Sequence, residues 1–170
     1  MILACDPGST QSAYVVYDPK TKTIREHAIV DNETLCDILH GNDFNASILV
    51  IEDMQSFGMP VGREVFETVR WTGRFDTAWM RGYVYIPRSE VKLAICKSAK
   101  ANDATIRTAL IDMFGGKQET KKGGKLYKVK GDEWSALALS VVYAMKQHSE
   151  GVVILNEAYN PHYQTGSGTG

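Results

Sequence analysis

The sequence has few of the features that would place it in a specialised class of protein. Its three cysteines, Cys5, Cys36 and Cys96, are odd in number and have neither disulfide-framework nor zinc-ligand spacing. No apolar run approaches the roughly 20 residues of a membrane span, and the start of the chain does not read as a signal peptide. The four histidines are scattered and are expected at the surface. We therefore expect a cytoplasmic protein without membrane attachment.

A strong net charge is also missing, since the formal charge is −1. Nucleic-acid-binding proteins are often basic, so near-neutrality counts slightly against that function. The lysines, however, are unevenly distributed. Six of them lie between Lys117 and Lys130, with Glu119 as the only acid in that stretch. This segment predicts either a solvated surface loop or a surface that contacts a polyanion.

Length and composition predict one globular domain. A hydrophobic content of 44% and a charged content of 23% are ordinary, and 170 residues are enough to bury a core without disulfides or a structural metal. We assign residues 1–155 to this domain. Residues 156–170 are rich in glycine, serine and threonine and are predicted to form a tail.

The order of predicted elements indicates an α/β fold. Three short β-rich segments separated by turns predict an antiparallel meander, after which helices alternate with two more strands. Strands are predicted at Ile2–Cys5, Ser12–Tyr17, Thr23–Val30, Ser47–Ile51 and Tyr83–Ile86. Helices are predicted at Asn32–Leu39, Arg63–Arg81 and Ser89–Cys96, the last with Ser89 as its cap. A further helix is predicted from its cap Asn102 to the glycines at 115 and 116, and the final helix at Asp132–Gln147. This order is typical of a mixed five-stranded sheet with helices on both faces.

Three carboxylates lie where a cation site could form. Asp6 directly follows the first strand, and Glu52 directly follows the aliphatic fourth strand. If these strands are parallel neighbours, about 4.8 Å apart, both side chains emerge at the same edge of the sheet. Asp132 opens the apolar final helix. Two like charges so close together would repel each other unless a divalent ion neutralised them.

Each acid also has a purely structural interpretation. Asp6 can form a turn with Pro7 and Gly8, and Asp132 can cap the final helix. Glu52 is harder to explain in this way, because glutamate is unusual directly after four aliphatic strand residues. A single metal site accounts for all three acids together, whereas the structural interpretation needs three separate roles.

These segments together resemble the RuvC family of Holliday-junction resolvases, a branch of the ribonuclease H-like superfamily. The resemblance is carried by Asp6-Pro7-Gly8-Ser9 after the first strand, by Ile51-Glu52, and by the run from Asp132 to Leu139 that opens the final helix. Arg88-Ser89-Glu90-Val91-Lys92 and Ser98-Ala99-Lys100 are similar to the penultimate region of the family. The likeness spans residues 1–148 in the family's order.

The resemblance implies a ribonuclease H-like fold and a crossover junction endodeoxyribonuclease. Such an enzyme hydrolyses DNA phosphodiesters in four-way junctions by paired nicks, in recombination and repair. Asp6, Glu52 and Asp132 would hold two Mg²⁺ ions, for which Mn²⁺ would substitute, one ion at Asp6 and Asp132 and the other at Asp6 and Glu52. A homodimer is expected because two symmetric cuts need two sites. A bacterial or phage origin is also implied.

The sequence departs from the family pattern at two places. The family commonly has a fourth acid one helical turn after the third, and this sequence has Ser135 there. Glu133 lies about 100° away around the helix and is a poor substitute. Ala13 replaces a glycine that often follows the first motif. These changes bear on the second metal position more than on the fold.

DNA would be held mainly through its phosphates, by lysines near the acids. The resemblance adds Phe57, an aromatic residue expected to wedge at the junction centre, whose alternative role is packing under its loop. The candidate lysines are Lys92, Lys97, Lys100, Lys121, Lys122 and Lys125.

Three other functions remain possible at this point. The protein could be a structure-selective nuclease acting on flaps, forks or RNA–DNA hybrids. It could be a non-catalytic nucleic-acid-binding module of the same fold, which Ser135 favours. An actin-like sugar kinase or ATPase also has a phosphate loop that starts with an Asp-x-Gly motif after a strand, but that fold needs two such domains and about twice this length.

Overall fold

A computed structural model describes residues 1–55, 58, 60 and 62–149. The strands are β1 (Ile2–Asp6), β2 (Gln11–Asp18), β3 (Thr23–Asp31), β4 (Ile48–Asp53) and β5 (Tyr83–Pro87). The α-helices are α1 (Asn32–Gly41), α2 (Arg63–Trp79), α3 (Arg88–Cys96), α4 (Asp103–Phe114) and α5 (Glu133–Ser149). Phe57 and the predicted tail at 156–170 lie outside the described residues, so the domain boundary at 155 stays a prediction.

The strands form one mixed sheet in the order β3-β2-β1-β4-β5. Strands β1, β2 and β3 are antiparallel, which confirms the meander, and β4 and β5 run parallel to β1. The predicted fold class, an α/β protein with a mixed five-stranded sheet, is therefore confirmed. The change from antiparallel to parallel pairing occurs at β1, where the chain places its first acid.

Helices cover both faces of the sheet because the central strands are apolar on both sides. Ala4 and Val50 contribute to a core beneath α3, α4 and α5. Leu3 and Ile51 point to the opposite core, beneath α1 and α2. All four of these side chains are fully buried. A continuous aliphatic strand is what a doubly covered parallel sheet requires.

Helix α5 is the central helix of its face and packs across β1, β2 and β4 as well as α3 and α4. Residues 136–140 have no exposed surface, which explains why this helix is apolar nearly all round. Helix α2 contributes large aromatic side chains to the opposite core, since Phe75 and Trp79 are fully buried. Within the described residues, no helix combines the length and hydropathy needed to cross a bilayer.

The predicted helix caps are partly correct. Asn102 caps α4, since its side-chain oxygen accepts a hydrogen bond from the Thr105 N–H at 2.9 Å. The prediction that Ser89 caps α3 is wrong, because the helix begins at Arg88 and its cap is Pro87, without a side-chain hydrogen bond. Proline holds the extended backbone needed immediately before the helix, so no side-chain cap is required for the chain to turn.

The segment 117–130, here called the lysine loop, is compactly folded. It begins with a short 3-10 helix, Lys117–Thr120, and then folds back so that the Leu126 N–H donates to the Glu119 carbonyl at 2.9 Å. The Glu119 carboxylate accepts a hydrogen bond from the Lys125 N–H. Leu126 and Val129 are buried in the core, whereas the six lysines are exposed. The loop therefore presents its charges on a defined scaffold.

Candidate metal centre

Strand register places Asp6 and Glu52 side by side. The parallel pairing of β1 with β4 matches Cys5 with Ile51, and each acid is the next residue along its strand. Both carboxyl groups therefore emerge at the carboxyl edge of the sheet, as predicted. Glu52 is only 9% exposed and Asp6 is partly buried. Two acids so poorly solvated are costly unless a cation or a proton compensates them.

The turn after Asp6 is fixed by a buried polar network. The Gly8 N–H donates to the Ser12 hydroxyl, which in turn donates to the Asn32 side-chain oxygen at 2.6 Å. The Asn32 amide donates back to the Gly8 carbonyl at 3.0 Å. A Cβ atom on Gly8 would clash with the Gln11 carbonyl oxygen, so only glycine fits there. This network determines the direction in which the chain leaves Asp6.

The two carboxyl groups strongly perturb each other. Burial, and then the charge of Glu52, raise the pKa of Asp6 from 3.8 to about 7. Burial also raises the pKa of Glu52, although the charge of Arg88 and a hydrogen bond from Asp6 oppose the rise. The pair therefore shares a proton near neutral pH in the absence of a metal ion. A site of this kind releases a proton when a divalent cation binds.

The start of α5 approaches the same pair. The Ser135 hydroxyl forms a hydrogen bond that lowers the pKa of Asp6, and the charge of Asp132 raises it. Asp132 itself is exposed, and its backbone carbonyl accepts the first hydrogen bonds of the helix, from the N–H groups of Ser135 and Ala136. Within the described residues, no backbone N–H donates to the Asp132 carboxylate, which leaves its oxygens available.

Glu133 has a structural role that the sequence pattern did not reveal. It is 2% exposed, and its carboxylate accepts the Lys130 N–H at 2.7 Å. The same oxygen lies 3.0 Å from His27 Nδ1 on β3, so the expectation that every histidine is a surface residue is wrong for His27. Gly131, with φ +49°, provides the sharp turn just before Asp132. These contacts orient Asp132, and they direct Glu133 away from the acid pair.

The three acids are not arranged as a complete metal-binding group. Across the part of the chain that the structure describes, no three acidic, histidine or cysteine side chains form such a cluster. Asp6 and Glu52 are in direct contact, while Asp132 is linked to them through its charge on Asp6. The donor set is nonetheless suited to a hard divalent cation, because it offers carboxylate and hydroxyl oxygens and a proton-sharing pair that a cation would relieve.

Sequence reasoning missed Arg88, which lies beside these acids. It is the first residue of α3, directly after β5, and β5 pairs with β4 so that Glu52 lies opposite Ile86. Arg88 Nη1 is 3.4 Å from Glu52 Oε2, and Arg88 Nη2 donates to the Asp103 carboxylate. The signal that could have identified it is its position at the carboxyl end of a strand, the edge where Asp6 and Glu52 also lie.

The candidate DNA-contacting lysines lie on two elements. Lys92 is partly buried on α3, one turn after Arg88. Lys97 ends that helix with φ +56°, its ammonium group donating to the Ala94 carbonyl, and Lys100 is exposed just beyond it. The other three, here called the loop lysines, are exposed on the lysine loop. They are Lys121, Lys122 and Lys125.

Comparison with known proteins identifies the fold. No family model and no curated protein sequence matches the chain. Among solved structures, RuvC from Thermus thermophilus aligns with a TM-score of 0.61 and 14% identity, over 88% of this chain and 96% of that one. The same protein in complex with Holliday junction substrate aligns with a TM-score of 0.64 and 12% identity, over 88% and 95%. A Fowlpox virus resolvase aligns with a TM-score of only 0.40 at 17% identity, over 86% and 99%.

Both alignments to RuvC cover nearly all of that protein and the greater part of this chain. At 12–14% identity these alignments show the fold of the chain, and they do not show its chemistry. The five-stranded sheet with Asp6 and Glu52 at its carboxyl edge is thus built on the fold of RuvC.

Proposed function

We propose that this protein is a divalent-metal-dependent endonuclease that nicks branched DNA, with four-way junctions as its substrate. The observation that supports this most strongly is the acid pair at the ends of β1 and β4. Its burial and mutual repulsion raise the pKa of Asp6 to about 7. A fold maintains such a pair at a cost in stability, and perturbed carboxyl pairs of this kind are concentrated at functional sites.

In this proposal Asp6, Glu52 and Asp132 hold Mg²⁺, or Mn²⁺ in its place, at the carboxyl edge of the sheet. When bound, a divalent ion there supplies activation of water and stabilisation of charge on the phosphate and leaving oxygens. Asp6 is the shared ligand, because it is close to both other acids. Ser135 orients the Asp6 carboxylate through its hydrogen bond, and Glu133 keeps the helix start that presents Asp132 in place.

The substrate assignment rests on the fold and on the charge around the site. Thermus thermophilus RuvC, whose fold this chain shares, is solved in complex with Holliday junction substrate. In this proposal Lys92, one turn after Arg88 on α3, and the loop lysines, which precede Asp132 in the sequence, contact phosphates of the DNA. A homodimer would provide two sites for paired nicks. Phe57, which follows β4 in the sequence, is the proposed wedge.

The experiment is a cleavage panel. Wild-type protein is incubated with a four-way junction and with matched duplex, flap, fork and RNA–DNA hybrid substrates, in Mg²⁺ and in chelator. We expect Mg²⁺-dependent nicking of the junction, placed symmetrically in opposing strands. Asp6→Asn should reduce the rate by at least about 10³-fold while junction binding persists. Asp112→Asn, the same change at an exposed position on α4, is the matched control and should cut at the wild-type rate.

A second candidate function is binding of branched DNA without cleavage. Ser135 and the lack of a complete three-acid cluster within the described residues favour it. Tight junction binding without nicking in either Mg²⁺ or Mn²⁺ would establish this alternative and refute the nuclease. Metal-dependent cleavage of a flap or hybrid in preference to the junction would keep the nuclease and change its substrate.

A further inference from the structure

We propose that Arg88 takes the place of one of the two divalent cations, so that this site binds a single metal ion on its Asp6–Asp132 side. This inference rests on the proposed nuclease function and concerns the number of metal ions and the group that contacts the phosphate. It departs from the two-ion arrangement expected from the resemblance.

The Glu52 side of the acid pair already has a positive charge beside it. The Arg88 guanidinium approaches Glu52 to 3.4 Å, and its charge also reaches Asp6. The Arg88 side chain is only 24% exposed, so this contact is poorly screened by solvent. This is the side where the resemblance would place the second ion, shared by Asp6 and Glu52.

A second contact fixes the guanidinium from outside. Arg88 Nη2 donates to the carboxylate of Asp103, the first residue of α4, whose side chain is 82% exposed. Asp103 and Glu52 thus hold the two ends of one planar fork, which restricts the rotation of Arg88. Asp103 is a positioning residue in this arrangement, because it acts through Arg88.

The charges of the three acids and Arg88 balance with one divalent ion. Asp6, Glu52 and Asp132 carry three negative charges when fully ionised, and Arg88 offsets one of them. The Asp103 carboxylate is not counted, because it is 82% exposed and its charge is screened by solvent. Ser135, which contacts Asp6 from α5, adds none. The remaining charge of −2 matches a single Mg²⁺, and a second dication at Glu52 would be placed beside a fixed positive group.

Arg88 also has donors to spare for a substrate. A guanidinium has five N–H donors, and Glu52 and Asp103 engage one each in this structure. The remaining donors can contact a phosphate oxygen at the edge of the cluster. Arginine suits this role because it stays charged at every working pH and presents its donors in a fixed plane. In this way Arg88 supplies the phosphate-side charge that a second metal ion would otherwise provide.

Counting bound Mn²⁺ tests the proposal without depending on activity. Wild-type protein is titrated with Mn²⁺, and free ion is measured by electron paramagnetic resonance. We expect one ion per chain, and a hyperbolic dependence of junction cleavage on Mg²⁺. Arg88→Met keeps the apolar stem and removes the charge. It should raise Mn²⁺ affinity about tenfold, because a like charge is gone, and reduce cleavage about 100-fold.

Two further variants separate the charge of Arg88 from its planar shape and provide a control. Arg88→Lys restores the charge without the planar fork and should return Mn²⁺ affinity to the wild-type value while recovering only part of the cleavage rate. Arg25→Ala removes an arginine that pairs with Asp18 at the far edge of the sheet, and should change neither measurement. If Arg88→Met does not fold, Arg88→Lys and the wild-type ion count still decide the question.

Each outcome has one meaning. Two Mn²⁺ ions of comparable affinity in the wild type, or unchanged affinity in Arg88→Met, would overturn the role of Arg88 and leave the nuclease standing. Failure of the wild type to cleave any DNA in Mg²⁺ or Mn²⁺ would overturn the nuclease, whatever the ion count.

Discussion

Replacing Asp6 with asparagine should make the metal-free protein more stable at neutral pH. The Asp6 carboxyl lies against Glu52 at the end of β1, and burial raises its pKa from 3.8 to about 7. Asparagine has the same shape, carries no charge, and can donate a hydrogen bond to Glu52 in place of the shared proton. The substitution therefore removes an unfavourable charge while preserving the packing.

The size of the effect follows from proton linkage. A carboxyl group whose pKa rises from 3.8 to about 7 costs the folded state about 4 kcal/mol once it is ionised. Because Glu52 adjusts its own protonation when Asp6 is removed, we expect about half of this, about 2 kcal/mol. For a domain of this size, that gain raises Tm by about 4–8 °C.

The raised pKa of Asp6 determines whether stability rises or falls with pH. A raised carboxyl pKa means that the folded protein binds more protons than the unfolded chain between about pH 4 and pH 7, so wild-type stability falls as pH rises through this window. The advantage of D6N should be absent below pH 4, grow between pH 4 and 7, and then level off. Mg²⁺ should reduce it, because only the wild type gains stability from the ion.

Urea denaturation at a series of pH values, in chelator and in Mg²⁺, measures this directly. Asp18→Asn is the matched control, because its ion pair with Arg25 lowers the pKa of Asp18 to about 2. Asp18 contributes stability above its unfolded pKa that is lost as pH falls toward 2, so its replacement should destabilise the protein at neutral pH. Equal stability of D6N and wild type at pH 8 in chelator would show that Asp6 is not under electrostatic stress and would refute the reasoning.

Three further predictions concern the frame of the site and its interaction with DNA. Gly8→Ala should destabilise the protein by about 2–4 kcal/mol in urea unfolding, because the Cβ of the new alanine would meet the Gln11 carbonyl. Gly73→Ala is the control: Gly73 lies in open space on α2, and this substitution should stabilise the protein by up to about 1 kcal/mol. Glu133→Ala should cost about 2–3 kcal/mol by the same measurement, because the Lys130 N–H loses a buried acceptor, and a neutral result would contradict the assigned role. Changing the three loop lysines to glutamine should make the plot of log affinity for junction DNA against log salt less steep. The slope should fall in magnitude by up to about 0.9 for each phosphate that is no longer neutralised. An unchanged slope would show that the three lysines are solvated surface residues.

The acid pair could be predicted because its position depends on local patterns. An aliphatic run followed by an acid indicates a buried strand whose last side chain meets solvent, and the parallel pairing of β1 with β4 places Asp6 beside Glu52. The fully apolar stretch at 136–139 likewise predicted a buried final helix. In these cases the residues that are apolar in the sequence are the ones that the tertiary structure buries, so the local pattern is enough for the prediction.

The residues that complete the site depend on contacts between distant segments. Whether Asp132 or Glu133 faces the protein interior is decided by His27 on β3 and by the Lys130 N–H, and no helical pattern indicates either contact. Glu133 is the buried acid and Asp132 the exposed one, the reverse of what burial alone would assign to a ligand. The position of Arg88 directly after β5 is visible in the sequence, but its contact with Glu52 depends on the pairing of β5 with β4, which no local pattern specifies.

A crystal structure of the protein grown with Mn²⁺ and measured at the manganese absorption edge tests the proposed metal site most directly. We expect an anomalous peak bound by carboxylate oxygens of Asp6 and Asp132, with Glu52 beside it. Manganese absent from this edge of the sheet at saturating concentration, with Asp132 still directed to solvent, would contradict this expectation.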